Sequence, residues 1–270
     1  MDEENKELVV QEVKKSELFL PAEEIEEFAG MGAENVTTND MLLPRLTQIQ
    51  SMSPQFNKKK AEYIEGAELS DFCNVATGDI YKESIIVIPC YFRVSYIEWG
   101  KTQGEGLIKN HGSDASCLKA TTQNEKRENI LPNGNKIVET SEWFCLLQDG
   151  IRWKQVFFPL KSTNLKISRK WMTLSRAEVL QGRNGTFTPP LFYRSWKLTV
   201  ASDNNDKGDW YTFIPSQSYT ILELDPTKEL LNQAKQFYID VRENKLTGEV
   251  VNDDPNDPAN ARIVNPDSKM

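Results

Sequence analysis

The clearest hydrophobic pattern in the chain runs from Ser84 to Trp99, SIIVIPCYFRVSYIEW, where apolar and polar positions alternate with the period of two that a strand requires. Ile86, Ile88, Cys90, Phe92, Val94 and Tyr96 share one face, and Tyr91, Arg93, Ser95 and Trp99 share the other. The pattern predicts one core face and one polar, aromatic face, because a strand buried on both sides reads as an unbroken apolar run. Pro89 lacks an amide donor and marks a bulge or an edge position. Farther on, Ser141 to Leu147 and Ile151 to Leu160 flank Gln148-Asp149-Gly150, and the Asp-Gly pair predicts a hairpin. Its second strand sets Arg152, Lys154, Val156 and Phe158 against Trp153, Gln155 and Phe157, with aromatics on both sides.

The period changes to that of a helix over Lys161 to Gln181. At about 100° per residue, Leu165, Ile167, Trp171, Met172, Leu174 and Val179 cover one side, and Ser162, Lys166, Arg169, Lys170, Thr173 and Arg176 cover the opposite side. Gly182 stops this helix, and Arg183-Asn184-Gly185 and Pro189-Pro190 lead to a strand over Leu191 to Ala201 with Phe192, Trp196, Leu198 and Val200 as its core set. A turn over Ser202 to Gly208 returns the chain through Asp209 to Ile214, and Asp225 caps a last helix over Pro226 to Glu243. Leu42 to Ile49 reads as a lead-in strand or loop. Gly100 to Lys136 has no period at all and reads as a mobile excursion between strands, since a loop of that length in a compact domain is usually functional or disordered.

Four segments follow. Residues 1–40 form an acidic, largely disordered arm with one short helix over Pro21 to Ala29. Residues 41–224 form a mainly β domain with its long loop at 100–137, 225–245 the last helix, and 246–270 a flexible tail rich in Pro, Asn and Asp.

Charge sharpens this picture. The chain carries a formal net charge of −8, yet Ile151 to Val200 holds ten cations against Glu178 alone, a local charge of +9. The first forty residues carry −9. Trp143, Trp153, Trp171, Tyr193, Trp196, Trp210 and Tyr211 lie within or beside the basic window, and cations interleaved with aromatics suit a single-stranded polyanion whose bases can stack. An acidic arm beside a basic core can compete with nucleic acid for the same groove.

Other classes recede. No dinucleotide fingerprint, P-loop, nucleophile elbow, zinc-protease or kinase signature occurs, so no enzyme activity and no cofactor are expected. A metal-dependent nuclease would need clustered carboxylates, for which the strands offer Glu98 and Glu142, expected as solvated strand-end charges. Cys73, Cys90, Cys117 and Cys145 form no C-x-x-C pair, so reduced thiols in a cytoplasm are expected, and their spacing with His111 fits no zinc finger or ribbon. No stretch approaches the ~20 apolar residues of a membrane helix. The start, MDEENKELVV, has the wrong charge for a secretory signal.

FPLKSTNLKISRKWMTL, followed by PPLFYRSWKLTVASDNNDKGDWYTF and preceded by NVATGDIY and VIPCYFRVSYIEW, resembles bacteriophage single-stranded DNA-binding proteins of the OB-fold type, the T7-type proteins among them. The resemblance spans roughly Leu42 to Glu223. It implies an OB-fold-like antiparallel barrel with an inserted amphipathic helix, a C-terminal helix, and a protein that coats single-stranded DNA in the host cytoplasm during replication or recombination. It further implies that Lys161, Ser162, Lys166, Arg169 and Lys170 lie beside the groove and that Lys197, Lys207 and Trp210 belong to the following hairpin. The nucleic-acid-binding set expected overall is Tyr91, Arg93, Trp99, Arg152, Lys154, Lys161, Lys166, Arg169, Lys170, Arg176, Tyr193 and Lys197. Phage polymerase or helicase-primase and a second copy of the chain are the candidate protein partners. A strand-annealing mediator, a nuclease and a virion structural protein are the alternatives. The chain ends Asn-Pro-Asp-Ser-Lys-Met, and its tail is only mildly acidic and lacks the terminal aromatic common in that class.

Overall fold

A computed structural model describes residues 28, 31–32, 43–102, 105–205 and 208–246. The chain divides into Met1–Met41 and Leu42–Met270. The expected arm helix, the tail beyond 246 and Lys207 lie outside the described residues.

In the second unit the elements are β1 (Leu46–Gln48), β2 (Phe72–Asn74), β3 (Ile80–Tyr81), β4 (Ser84–Trp99), β5 (Leu107–Asn110), β6 (Thr122–Gln123), β7 (Asn129–Ile130), β8 (Lys136–Asp149) and β9 (Arg152–Lys161). Then follow α1 (Asn164–Arg176), β10 (Leu180–Gly182), β11 (Gly185–Phe187), β12 (Arg194–Asn205), β13 (Gly208–Thr220), α2 (Ile221–Leu224) and α3 (Glu229–Arg242). The main sheet is antiparallel, in the order β13-β12-β4-β8-β7-β6, with β5 added to β4 and β9 added to β8. The alternating segment at Ser84 to Trp99 is β4, and it lies at the centre of this sheet. The Asp-Gly hairpin closes with Asp149 opposite Arg152, leaving Gly150 and Ile151 as a two-residue loop in which Gly150 takes a φ of 58°.

β4 does not keep one face to the core. Pro89 pairs with Cys145 and Tyr91 with Phe144, so Cys90 is left over in a bulge and the parity of the strand reverses there. Before the bulge, Ile85 and Val87 join an inner core with Trp143, Phe158, Trp171, Trp196 and Phe213; Phe92, beyond it, packs against that same core. Ile88, Cys90, Ile97 and Trp99 join an outer core with Phe144 and Phe157. The outer core is covered by α3, whose Leu230, Ala234, Phe237 and Val241 recur on one helical face. Burial of each large apolar side chain contributes roughly 1.5 to 3 kcal/mol.

Where a mainly β, OB-fold-like barrel is expected, the structure has a mixed α/β fold around a partially curled, open sheet. β13 pairs with β12 alone, and the three-residue β1 is paired to β2. Side-chain amides span the gap between them. Gln48 Nε2 donates to the Thr212 carbonyl at 2.8 Å. Gln50 Nε2 donates to the Tyr211 carbonyl and Tyr211 N–H donates to Gln50 Oε1, each at 2.9 Å. On the other side, Phe157 N–H donates to the Pro44 carbonyl at 2.8 Å.

Helix boundaries also move. α1 ends at Arg176, and the sequence expected to continue it to Gln181 leads into the β10–β11 hairpin. α3 begins at Glu229, and Asp225 caps it across a turn by accepting from Leu230 N–H at 2.7 Å. Gly100 to Lys136 carries β5, a 3-10 turn at Ala115–Ala120, β6 and β7. This excursion is tied to β4 by His111 Nε2 at 2.9 Å from Glu98 Oε2 and by Asn135 Nδ2 donating to Glu98 Oε1 at 2.6 Å.

α1 is seated by Trp171, fully buried and stacked on Trp143 with ring centroids 4.0 Å apart. Trp143 Nε1 in turn donates to Ser168 Oγ of the same helix at 2.8 Å. Trp171→Ala is expected to cost about 3 to 5 kcal/mol in chemical denaturation; a loss below about 1 kcal/mol would show that the helix is held by other contacts.

Candidate nucleic-acid interface

α1 carries the densest cluster of expected site residues. Lys166, Arg169, Lys170 and Arg176 are all exposed, with Thr173 between them, within an arc of about 120° of the helix. Arg169 Nη2 lies 2.8 Å from Glu139 Oε1. Lys166, Lys170 and Arg176 have no ion pair among the described residues. The only acid of the basic window, Glu178, is engaged elsewhere: its carboxylate accepts from Arg194 Nη2 at 2.6 Å and Nε at 2.9 Å. That hydrogen-bonded guanidinium, against the opposing effect of burial, holds the Glu178 carboxyl below its usual range.

The remaining expected residues separate by environment. Trp99, at 2% exposure, is an outer-core residue and offers no stacking face, which corrects its expected role. Tyr91 is partly buried beside α3, its ring 5.9 Å from Tyr238 and 6.0 Å from Phe144. Arg93 pairs with the buried Glu142 carboxylate, which also accepts from Ser95 Oγ, and its guanidinium lies 5.2 Å from the Phe144 ring centroid. All three sit on the face that α3 covers. Lys154 is gripped by Asp149 and Asp79, and these hydrogen bonds raise its pKa. Arg152 is exposed at the start of β9, and Lys197 is exposed on β12. Tyr193 is partly buried with Arg194 over its ring, and Lys161 lies at the end of β9. Thus α1 brings four of the expected residues together, while Tyr91, Arg93 and Trp99 belong to the packed outer face.

Glu98 and Glu142 are not the solvated strand ends expected. Glu142 is fully buried in its pair with Arg93, and Glu98 is 7% exposed. Burial would raise the Glu98 carboxyl, but hydrogen bonds from Asn135 and His111 outweigh it and leave the group below its usual range. Among the described residues no group of three or more His, Cys, Asp or Glu side chains is placed to hold a metal ion. No disulfide joins any of the four cysteines, and burial pushes the thiols of Cys90 and Cys145 up.

One feature of the surface joins Lys161 of the expected set, and Ser162 and Trp210 implied by the resemblance, to residues outside it. At the N-terminal end of α1, a cleft of about 350 Å³ opens between Gln48 and Gln50, the end of β9 and Trp210 and Tyr211 of β13. Its mouth is the start of the basic helix. The aromatics at 210 and 211 are legible in the sequence, but their placement opposite residues 47–53 depends on the curl of the sheet.

Two outcomes follow from the ion pairs. Arg93→Ala leaves Glu142 buried without its partner and is expected to cost about 3 to 5 kcal/mol in denaturation; a neutral result would mean that Glu142 is hydrated. The lowered Glu178 pKa gives stability present above its unfolded value near ~4.3 and lost as pH falls through the folded value. Urea midpoints at pH 6 and pH 3.5 should therefore differ less in Glu178→Gln than in the unsubstituted protein, and equal differences would remove the pair from the acid response.

No curated protein and no solved structure matches the chain. Residues 13–247, most of its length, match the Pam3 phage gp34-like protein family, and the chain belongs to that bacteriophage family.

Proposed function

We propose that this phage protein binds single-stranded DNA without catalysis, coating it in the host cytoplasm during replication or recombination. The observation that carries the reading is the exposed stripe of Lys166, Lys170 and Arg176 on α1, cations with no acid paired to them among the described residues in a chain that is acidic overall. Such a stripe neutralises phosphates without reading bases.

The topology supports it. The β4-β8-β9 meander, the helix α1 and the β12–β13 hairpin that returns to β4 resemble, in an open sheet, the connectivity of an OB-type barrel with its helix between the third and fourth strands. In that fold the outer face of the second and third strands commonly binds the oligonucleotide, but here α3 packs over Phe144 and Phe157 on that face. The strand is therefore assigned to the side of the sheet that bears α1. In this reading Tyr91, Arg93 and Trp99 serve the fold, Arg152 lies beside Asp225 and Glu229 at the start of α3, and Lys197 lies on the opposite side of β12 from the core residues Trp196 and Leu198.

The test is a titration of the full chain with a dT oligonucleotide and with duplex of equal length over a range of salt. Tight, salt-sensitive preference for the single strand is expected. The Lys166→Ala, Lys170→Ala, Arg176→Ala triple variant should melt as the unsubstituted protein does, bind more weakly, and have a salt slope shallower by about 2, at ~0.7 per phosphate contact on single strands. Unchanged affinity and slope would remove α1 from the site.

A further inference from the structure

We propose that the cleft at the start of α1 is a subsite for one nucleotide unit of the bound strand, with its base against Trp210 and its phosphate at the backbone amides of residues 162–164. The inference rests on the reading of the protein as a single-strand binder and assigns it a base-stacking position that the basic helix alone does not supply.

Three observations converge on the cleft. Its volume, about 350 Å³, is of the size that holds small ligands, and none of the described residues lining it is acidic. Trp210 is partly exposed at its wall, and the neighbouring Tyr211 backbone is fixed at both N–H and carbonyl by Gln50, so the aromatic wall is held before any ligand arrives. The opposite wall is the first turn of a thirteen-residue helix whose cap residue, Thr163, makes no side-chain cap and whose first turn contains no acid. The amides there are donors in need of an anion.

An independent feature of the same cleft points to a ligand rather than to a bare helix end. Gln48, at 6% exposure, lines it, and both amide hydrogens of its side chain have acceptors in the Ser70 and Thr212 carbonyls. Its Oε1 is buried with no hydrogen-bond partner. An orphaned acceptor of this kind wants an N–H donor, which a pyrimidine base provides and a simple anion does not. The site thus presents a π face and donors for a phosphate, and in its wall lies one buried acceptor that a base edge would reach by a shift of the Gln48 side chain. From its mouth, Lys166 to Arg176 run along α1 for about 15 Å, the direction in which the next phosphates would lie.

Two substitutions separate this subsite from the helix stripe. Trp210→Ala should weaken binding of dT10 by the full chain about tenfold, as expected for one lost base stack, with the salt slope unchanged and Trp210→Phe restoring most of the affinity. Asn164→Asp keeps an oxygen to accept from Thr212 Oγ1 and favours the helix through its dipole, so it should not lower the melting temperature. It places a negative charge where the phosphate would sit and should weaken dT10 about fivefold. Wild-type affinity in both Trp210→Ala and Asn164→Asp, with weaker binding in the Lys166, Lys170, Arg176 triple variant, would overturn the subsite and leave the helix reading standing. No binding of dT10 by the unsubstituted chain would overturn the single-strand reading itself and the subsite with it.

Discussion

A sixteen-residue strand at the centre of a curled sheet must serve two surfaces, and β4 does so by a single bulge. With Cys90 left out of the ladder, residues of opposite parity face the same core before and after it. Ile85 and Val87 meet Phe92 on the inner side, and Ile88 meets Ile97 and Trp99 on the outer side. Everything else is arranged around this reversal. The inner core receives α1 and the β12–β13 hairpin, and the outer core receives α3. Without the bulge, the outer half of β4 would present Tyr91 and Arg93 to the inner core and Phe92 to the outer one, reversing the apolar set that each helix needs.

Charge is sorted by the same architecture. Three cations on strands are consumed internally, Arg93 by Glu142, Lys154 by Asp79 and Asp149, and Arg194 by Glu178. Each of these pairs joins segments distant in sequence or closes a turn. α1 differs because its apolar side packs through Trp171 and its partly buried neighbours, while the opposite side meets solvent with a row of cations of which, among the described residues, only Arg169 is paired. The positive surface is thus a residue of folding, what remains after structural pairs have taken their share, and it lies along one helix rather than across the whole window.

The cover provided by α3 has a functional corollary. A sheet of this connectivity has two faces on which a strand of nucleic acid could lie, and a helix that buries Leu230, Ala234, Phe237 and Val241 closes one of them. The open surface is then the side where α1 meets β13. There the sheet stays unclosed, and two glutamine side chains stand where a strand ladder would otherwise run.

The sequence by itself determined the central strand, the Asp149-Gly150 hairpin, the basic helix with its exposed cations, and the buried roles of Trp171, Trp196 and Leu198, because each rests on local periodicity or turn chemistry. It also placed the positive charge, since charge is a property of composition. It mistook Trp99 for an exposed stacking residue and Glu142 for a solvated charge. One bulge reverses which side of a strand is inner, and burial of a carboxylate depends on a partner 49 residues away. Only the tertiary structure decided that α3 covers the outer face, that the long excursion after Trp99 is anchored through Glu98 and His111, and that Gln48, Trp210 and the start of α1 meet in one cleft. These are contacts between segments far apart along the chain, fixed by the curl of the sheet, and no local pattern encodes them.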